Sequence, residues 1–275
     1  MMSMPMYFPP APFNLGDAVE CSNLVDIAYA MYADWVAQDK PNDPNEFHWQ
    51  PPQKSPYRFG LPVWGDSKVL FFTDWEPFAL VAQRDKNAYA IIRGTESVED
   101  WIDDAEIDQI PYELPNVSGV GLVHEGFFDL YKSMREVLLS QINALSGVDT
   151  LFITGHSLGA ALAMVATPDL MANALRNQSR AVYQYNLAGP RACDPTLASF
   201  LNTSAAPIYR VVNSCDVVPE VPPSVYDDLD KKVLYEHPGY PVTYTAQYDS
   251  LAGNHAHHTS YNYALTHPES PQGPK

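Results

Sequence analysis

Gly155-His156-Ser157-Leu158-Gly159 sets one hydroxyl between two glycines, and its flanks indicate what that hydroxyl is for. Leu151-Phe152-Ile153-Thr154 before it is an apolar run of strand type, and Ala160-Ala161-Leu162-Ala163-Met164 after it opens a helix of small residues. A G-x-S-x-G pentapeptide alone is a weak signal. Strand, tight turn and helix together make it a strong one, because such a turn lifts the serine oxygen above the edge of the sheet. The glycines permit the turn and let helix and strand approach closely. The helix N-terminus favours negative charge developing beside the serine. Serine is a poor nucleophile until a base takes its proton, and the base needs a carboxylate to orient it. In hydrolases built on this turn, the acid follows the serine and the histidine comes last.

Residues 208–212 read as a late strand, and Asn213-Ser214-Cys215-Asp216 follows it, which makes Asp216 the expected acid. Asp227, Asp228 and Asp230 lie farther from any strand end and read as a solvated loop. The base must come from His255, His257 or His258. These imidazoles could also be read as a metal site, but no carboxylate or cysteine accompanies them at ligand spacing, and neither metal nor cofactor is expected.

The elements that must position these groups follow from periodicity. Residues 17–39 carry Leu24, Ile27, Ala28, Met31 and Trp35 at helical spacing, and 126–145 form a second helix. Residues 68–73, 78–83 and 88–92 are adjacent strand candidates, and 150–154, 181–186 and 208–212 are later ones separated by helical patterns. The expected class is α/β: a mostly parallel central sheet flanked by helices, with an antiparallel edge. The 275 residues suit one domain, with a proline-rich arm at about 1–14 and a loose tail at about 267–275.

Composition narrows the partners. A net charge of −17 repels nucleic acid and disfavours anionic lipid surfaces, leaving a neutral substrate. No apolar run reaches the roughly 20 residues a membrane helix needs. No secretory signal is visible, so the expectation is a cytoplasmic protein or the mature form of a secreted one. Three cysteines, Cys21, Cys193 and Cys215, give no disulfide framework and read as buried thiols. Oligomeric state is not readable from these features.

Several segments, taken in order, resemble the fungal-type (class-three) lipases of the α/β-hydrolase superfamily. They are Ala90-Ile91-Ile92-Arg93-Gly94-Thr95 with Asp100-Trp101, then Val123-His124-Glu125-Gly126-Phe127, and the serine pentapeptide. Arg210-Val211-Val212-Asn213 with Asp216 and Val218-Pro219 follows, and then His258-Thr259-Ser260-Tyr261. The resemblance implies an α/β-hydrolase fold and carboxylic ester hydrolysis through an acyl-serine, with Ser157 as nucleophile and Asp216 as acid. Its H-x-x-Y ending points to His258 as base, since only that histidine has a tyrosine three residues on. The oxyanion donors are expected to be the amides of Leu158 and Thr95, with the Thr95 hydroxyl adding a third bond by resemblance. Arg93 is expected to brace that loop, and His124 and His156 to be structural. The implied substrate is an acylglycerol or other fatty-acyl ester, with a transient neutral lipid interface. The alternatives are a feruloyl or short-chain esterase on the same fold and a non-catalytic binding protein. Residues 97–107 form an acidic amphipathic helical pattern directly after the oxyanion loop, read either as a movable lid or as a helix packed permanently on the core.

Overall fold

A computed structural model of the chain describes residues 4–7, 13–67, 75–95, 107–228 and 231–274. The strand candidate at 68–73 and all but Ile107 of the candidate lid at 97–107 lie outside the described residues.

Strands β1 (Met4–Tyr7), β2 (Arg58–Phe59), β3 (Val63–Asp66), β4 (Trp75–Arg84), β5 (Asn87–Ile92), β8 (Thr150–His156), β9 (Ala181–Leu187), β10 (Ile208–Asn213) and β13 (Tyr240–Thr245) form one sheet. Its order is β1-β13-β10-β9-β8-β5-β4-β2, with β3 also on β4. From β5 to β13 every pairing is parallel. Antiparallel strands close both sides: β4 with β2 and β3 on one, β1 on the other. Two hairpins stand apart from it, β6 (Gln109–Pro111) with β7 (Leu122–His124), and β11 (Val225–Asp228) with β12 (Lys231–Leu234).

The strands alternate between two cores, as a pleated sheet covered on both faces must. Ala88, Ala90, Ile92, Leu151 and Ile153 pack with helices α2 (Glu125–Asn143), α3 (Leu158–Asn173) and α4 (Pro195–Asn202). Tyr89, Ile91, Phe152, Tyr209 and Val211 pack on the other face with α1 (Leu15–Ala37) and α6 (Tyr263–Thr266). Helix α1 starts where Asn14 Oδ1 accepts from Asp17 N at 3.2 Å. His124 does the same for α2, accepting from Phe127 N, while its ring stacks on Phe127 with centroids 4.0 Å apart.

The described parts of the N-terminal arm and of the tail are tied to the rest of the fold. Met4–Tyr7 is an edge strand, Met6 N donates to Pro268 O at 2.9 Å, and Gly273 N donates to Tyr248 Oη at 2.8 Å. Main-chain groups do this work, which side-chain patterning does not reveal. Among the described residues, no helix is long and apolar enough to cross a membrane.

Candidate active site

Three loops leave the carboxyl ends of β5, β8 and β10 on the same edge of the sheet, and each carries a residue singled out in the sequence. Ser157 sits between β8 and α3 with φ 58° and ψ −129°. That lies outside the small left-handed well open to L-residues, and such strain collects at reactive turns. The turn is held by Ser157 N donating to Leu187 O at 2.9 Å and by Ala160 N donating to Ser157 O at 2.9 Å. The glycines are required by space. A Cβ on Gly159 would stand 2.2 Å from Ile92 O, and one on Gly155 would stand 2.2 Å from Gly159 O.

Close approach of α3 to the end of β5 brings the Gly94-Thr95 loop beside the serine. Arg93 braces that loop as expected. It is buried, donates through Nε to Pro77 O at 2.8 Å and through Nη1 to Gly94 O at 2.7 Å, and pairs with Glu76 at 3.0 Å. Thr95 is half-buried at the end of this loop. Leu158 begins α3, where first-turn amides have no acceptor within the helix.

Asp216 is buried and receives three hydrogen bonds. Val218 N donates to Oδ1 at 3.0 Å, while Tyr261 Oη and His255 Nδ1 each donate to Oδ2 at 2.7 Å. Burial and the Asp216 charge push the Tyr261 phenol well up, so it stays a donor. Asn213 ties this turn to the histidine loop: its Nδ2 donates to Ala246 O at 2.9 Å and to Asn254 O at 3.1 Å.

The histidine on Asp216 is His255, and His258 is not. His258 lies 77% exposed and donates through Nδ1 to Asp26 at 3.0 Å. His257 also turns to Asp26, at 2.9 Å. The H-x-x-Y spacing misleads because His257–Asn262 is a π-helical turn. His255 and Tyr261 stand six positions apart, with five residues between them, and both reach Asp216. With Nδ1 donating, Nε2 of His255 carries the lone pair. It is buried and has no hydrogen-bond partner among the described residues. The His255 ring lies 4.7 Å from that of His156, the neighbour of Ser157.

His156 links the loops. Its Nε2 meets the His255 carbonyl at 2.9 Å, which fixes Nε2 as the protonated nitrogen and leaves Nδ1 to accept from Tyr29 Oη at 2.8 Å. Tyr29 Oη in turn accepts from Gly94 N at 3.1 Å. Burial, with His255 and His257 adding to it, holds the His156 imidazole well below its ordinary range, so it stays neutral. Tyr29 and Asp26 were not singled out in the sequence. Both lie on α1, with Tyr29 65 and 127 residues from Gly94 and His156 and Asp26 231 from His257, and only their place one turn apart on a helix hinted at a shared face.

Asp227 is exposed on the β11–β12 hairpin, opposite Lys232, away from any histidine contact. Among the described residues no group of three or more histidine, cysteine or acidic side chains could hold a metal. Where the chain leaves the expected lid, Tyr235 Oη donates to Ile107 O at 3.1 Å.

The chain is similar to known proteins in sequence and fold. A lipase of Rhizomucor miehei is 34% identical over 157 residues, covering 55% of this chain and 42% of its own. A lipase of Rhizopus niveus is 30% identical over 183 residues, covering 63% and 44%. A phospholipase A1-II of Oryza sativa subsp. indica is 26% identical over 224 residues, covering 69% and 57%. The matches thus span under half of each fungal relative's length. In structure, the triacylglyceride lipase of Rhizomucor miehei superposes with a TM-score of 0.57 at 23% identity, covering 85% of this chain and 82% of its own. A triacylglycerol lipase of Penicillium expansum gives 0.59 at 18%, covering 85% and 81%. These likenesses carry the α/β-hydrolase fold. The family model described as lipase (class 3) matches residues 89–226, from within β5 to within β11, and the chain belongs to that family.

Proposed function

We propose that this protein is a serine carboxylic ester hydrolase acting on neutral fatty-acyl esters, with Ser157, His255 and Asp216 as its triad. The observation that carries the reading is a buried His255 oriented by Asp216 through Nδ1, its Nε2 unpartnered among the described residues and its ring 4.7 Å from that of His156, the residue before the strained Ser157.

The chemistry follows from these groups. Ser157 Oγ attacks the acyl carbonyl as His255 Nε2 takes its proton. Asp216 holds the imidazole in the required tautomer and stabilises the imidazolium, without taking the proton itself. The tetrahedral oxyanion forms beside the amides of Leu158 and Thr95, donors that strengthen as charge develops. His255 then gives its proton to the alkoxide, the C–O bond breaks and the alcohol leaves. Water attacks the acyl-serine by the same route, with His255 again as base, and releases the acid. None of these steps calls for a metal.

Fatty-acyl esters are supported by relatives named lipase and phospholipase A1. The charge of −17 favours a neutral interface over an anionic one. A mature secreted form agrees with a Fusarium solani relative named a secreted mono- and diacylglycerol lipase.

The test is labelling by a fluorophosphonate probe, with the adduct mapped to Ser157, alongside hydrolysis of p-nitrophenyl esters of increasing chain length and an emulsified triglyceride. Labelling at Ser157 and turnover rising toward long chains are expected. An unlabelled, inactive protein overturns the hydrolase, and activity confined to short chains or methyl ferulate overturns the fatty-acyl assignment.

A further inference from the structure

His255 ends a five-residue helix, α5 (Leu251–His255), capped by Ser250 Oγ accepting from Gly253 N at 3.0 Å. A helix this short has no stability of its own. Beyond it Ala256 is extended, with φ −55° and ψ 127°, and the π-turn His257–Asn262 follows. The base is therefore carried by the least regular stretch of the site, and something rigid must hold that stretch.

The rigid element is α1, 23 residues long and packed along the sheet. Its Asp26 meets the two histidines that follow the base. Oδ1 accepts from His257 Nδ1 at 2.9 Å, and Oδ2 accepts from His258 Nδ1 at 3.0 Å. One carboxylate thus spans two adjacent residues of the loop. A second tie lies one turn away on α1. Asn262 Nδ2 donates to Ser22 Oγ at 3.0 Å, and Ser22 Oγ lies 3.3 Å from His257 Nε2. With Nδ1 of His257 donating to Asp26, its Nε2 lies within reach of the Ser22 hydroxyl, so both nitrogens of the buried ring have a partner. Burial raises the Asp26 carboxyl, but the hydrogen bonds and charge of His257 and His258 outweigh it and leave the group below its usual range. The carboxylate is ionised at neutral pH, as the clamp requires.

We propose that Asp26 is a positioning residue of the hydrolase, whose carboxylate clamps His257 and His258 and so holds His255 Nε2 on Ser157. The proposal rests on the hydrolase reading above, and it makes the histidine pair a mechanical link between α1 and the base.

Two readouts separate this role from general stability in Asp26→Asn. An amide offers only one acceptor oxygen, so one imidazole is released. The first readout is kcat per active site, with sites counted by fluorophosphonate titration; it is expected to fall about ten- to a hundredfold at unchanged KM, the scale of an ångström-level misplacement. The second is the low-field proton resonance of the His255–Asp216 bond, expected to broaden as the loop loosens. An unchanged per-site kcat or an unaltered resonance overturns the clamp. If Asp26→Asn does not fold, His257→Gln, which removes the buried arm, carries the same expectations. A wild-type protein that hydrolyses no ester refutes the hydrolase reading instead, and the resonance then decides the clamp alone.

Discussion

Nδ1 of His255 donates to Oδ2 of Asp216 across 2.7 Å, and the same oxygen accepts from Tyr261 at 2.7 Å. This pairing separates the base from its two neighbours. His255→Ala is expected to lose on the order of a million-fold in kcat, as Ser157→Ala does, by the measure of other serine hydrolases. His258→Ala is expected to lose no more than the ten- to hundredfold of Asp26→Asn, because its exposed ring is one of the two arms held by Asp26 and does not meet Asp216. A dead His258 variant beside an active His255 variant would reverse the assignment, and steady-state kinetics of the two decide it.

Tyr261→Phe removes one of three donors from a buried carboxylate. A hydrogen bond to a charged group contributes about 1.5–3 kcal/mol. Urea unfolding is expected to show a loss of that order. Activity is expected to fall about tenfold, the share of the barrier that 1.4 kcal/mol represents. Retention of full stability would mean that another donor takes the place of the phenol.

Tyr29→Phe cuts the path from Gly94 N to His156 Nδ1. The loop before Thr95 then loses its outer anchor, while the ground-state carbonyl has little need of it. The expected result is a fall in kcat of about tenfold with KM nearly constant, as for an interaction made only in the transition state. A rise in KM at constant kcat would place Tyr29 in substrate binding instead.

The pH dependence of stability follows from two buried imidazoles. Burial, with Arg210 and Arg191 adding charge, lowers His237 to about 3, and its Nε2 donates to Pro219 O at 2.7 Å. His156 is shifted the same way. Both are neutral when folded, whereas in the unfolded chain each takes a proton below about 6.5. Their contribution is complete above pH 6.5 and is lost as pH falls toward the folded values. Each histidine adds a slope of about 1.4 kcal/mol per pH unit in that window. His237→Gln, which keeps a donor for Pro219, is expected to flatten the acid limb of a melting-temperature profile between pH 6 and 4. An unchanged limb would show that His237 is accessible to protons in the fold.

The sheet and the serine turn were legible because their signals are local. The β8 run, the two glycines and the small residues of α3 lie within about fifteen positions, and space around Gly159 admits no side chain. The adjacent strand candidates at 78–83 and 88–92 were equally plain and pair as β4 and β5. Strands β2 and β3 escaped notice because they are short edge strands with little alternation. The spacing rule pointed to His258, whereas the structure sets His255 against Asp216 and His258 against Asp26; such a rule assumes regular winding, and a π-turn follows His255. Asp26 and Tyr29 were silent because a contact made across more than a hundred residues leaves no pattern in one sequence.

The backbone of Ser157, at φ 58° and ψ −129°, places reactivity and durability in opposition at one residue. A conformation of this kind costs an L-amino acid on the order of 1–3 kcal/mol. Glycine would occupy it without that cost, against about 0.5–1 kcal/mol of extra unfolded-state freedom. Ser157→Gly should therefore melt higher than the active protein while hydrolysing nothing. On the hydrolase reading, selection for endurance alone would drift this position to glycine, and selection for turnover keeps a side chain there.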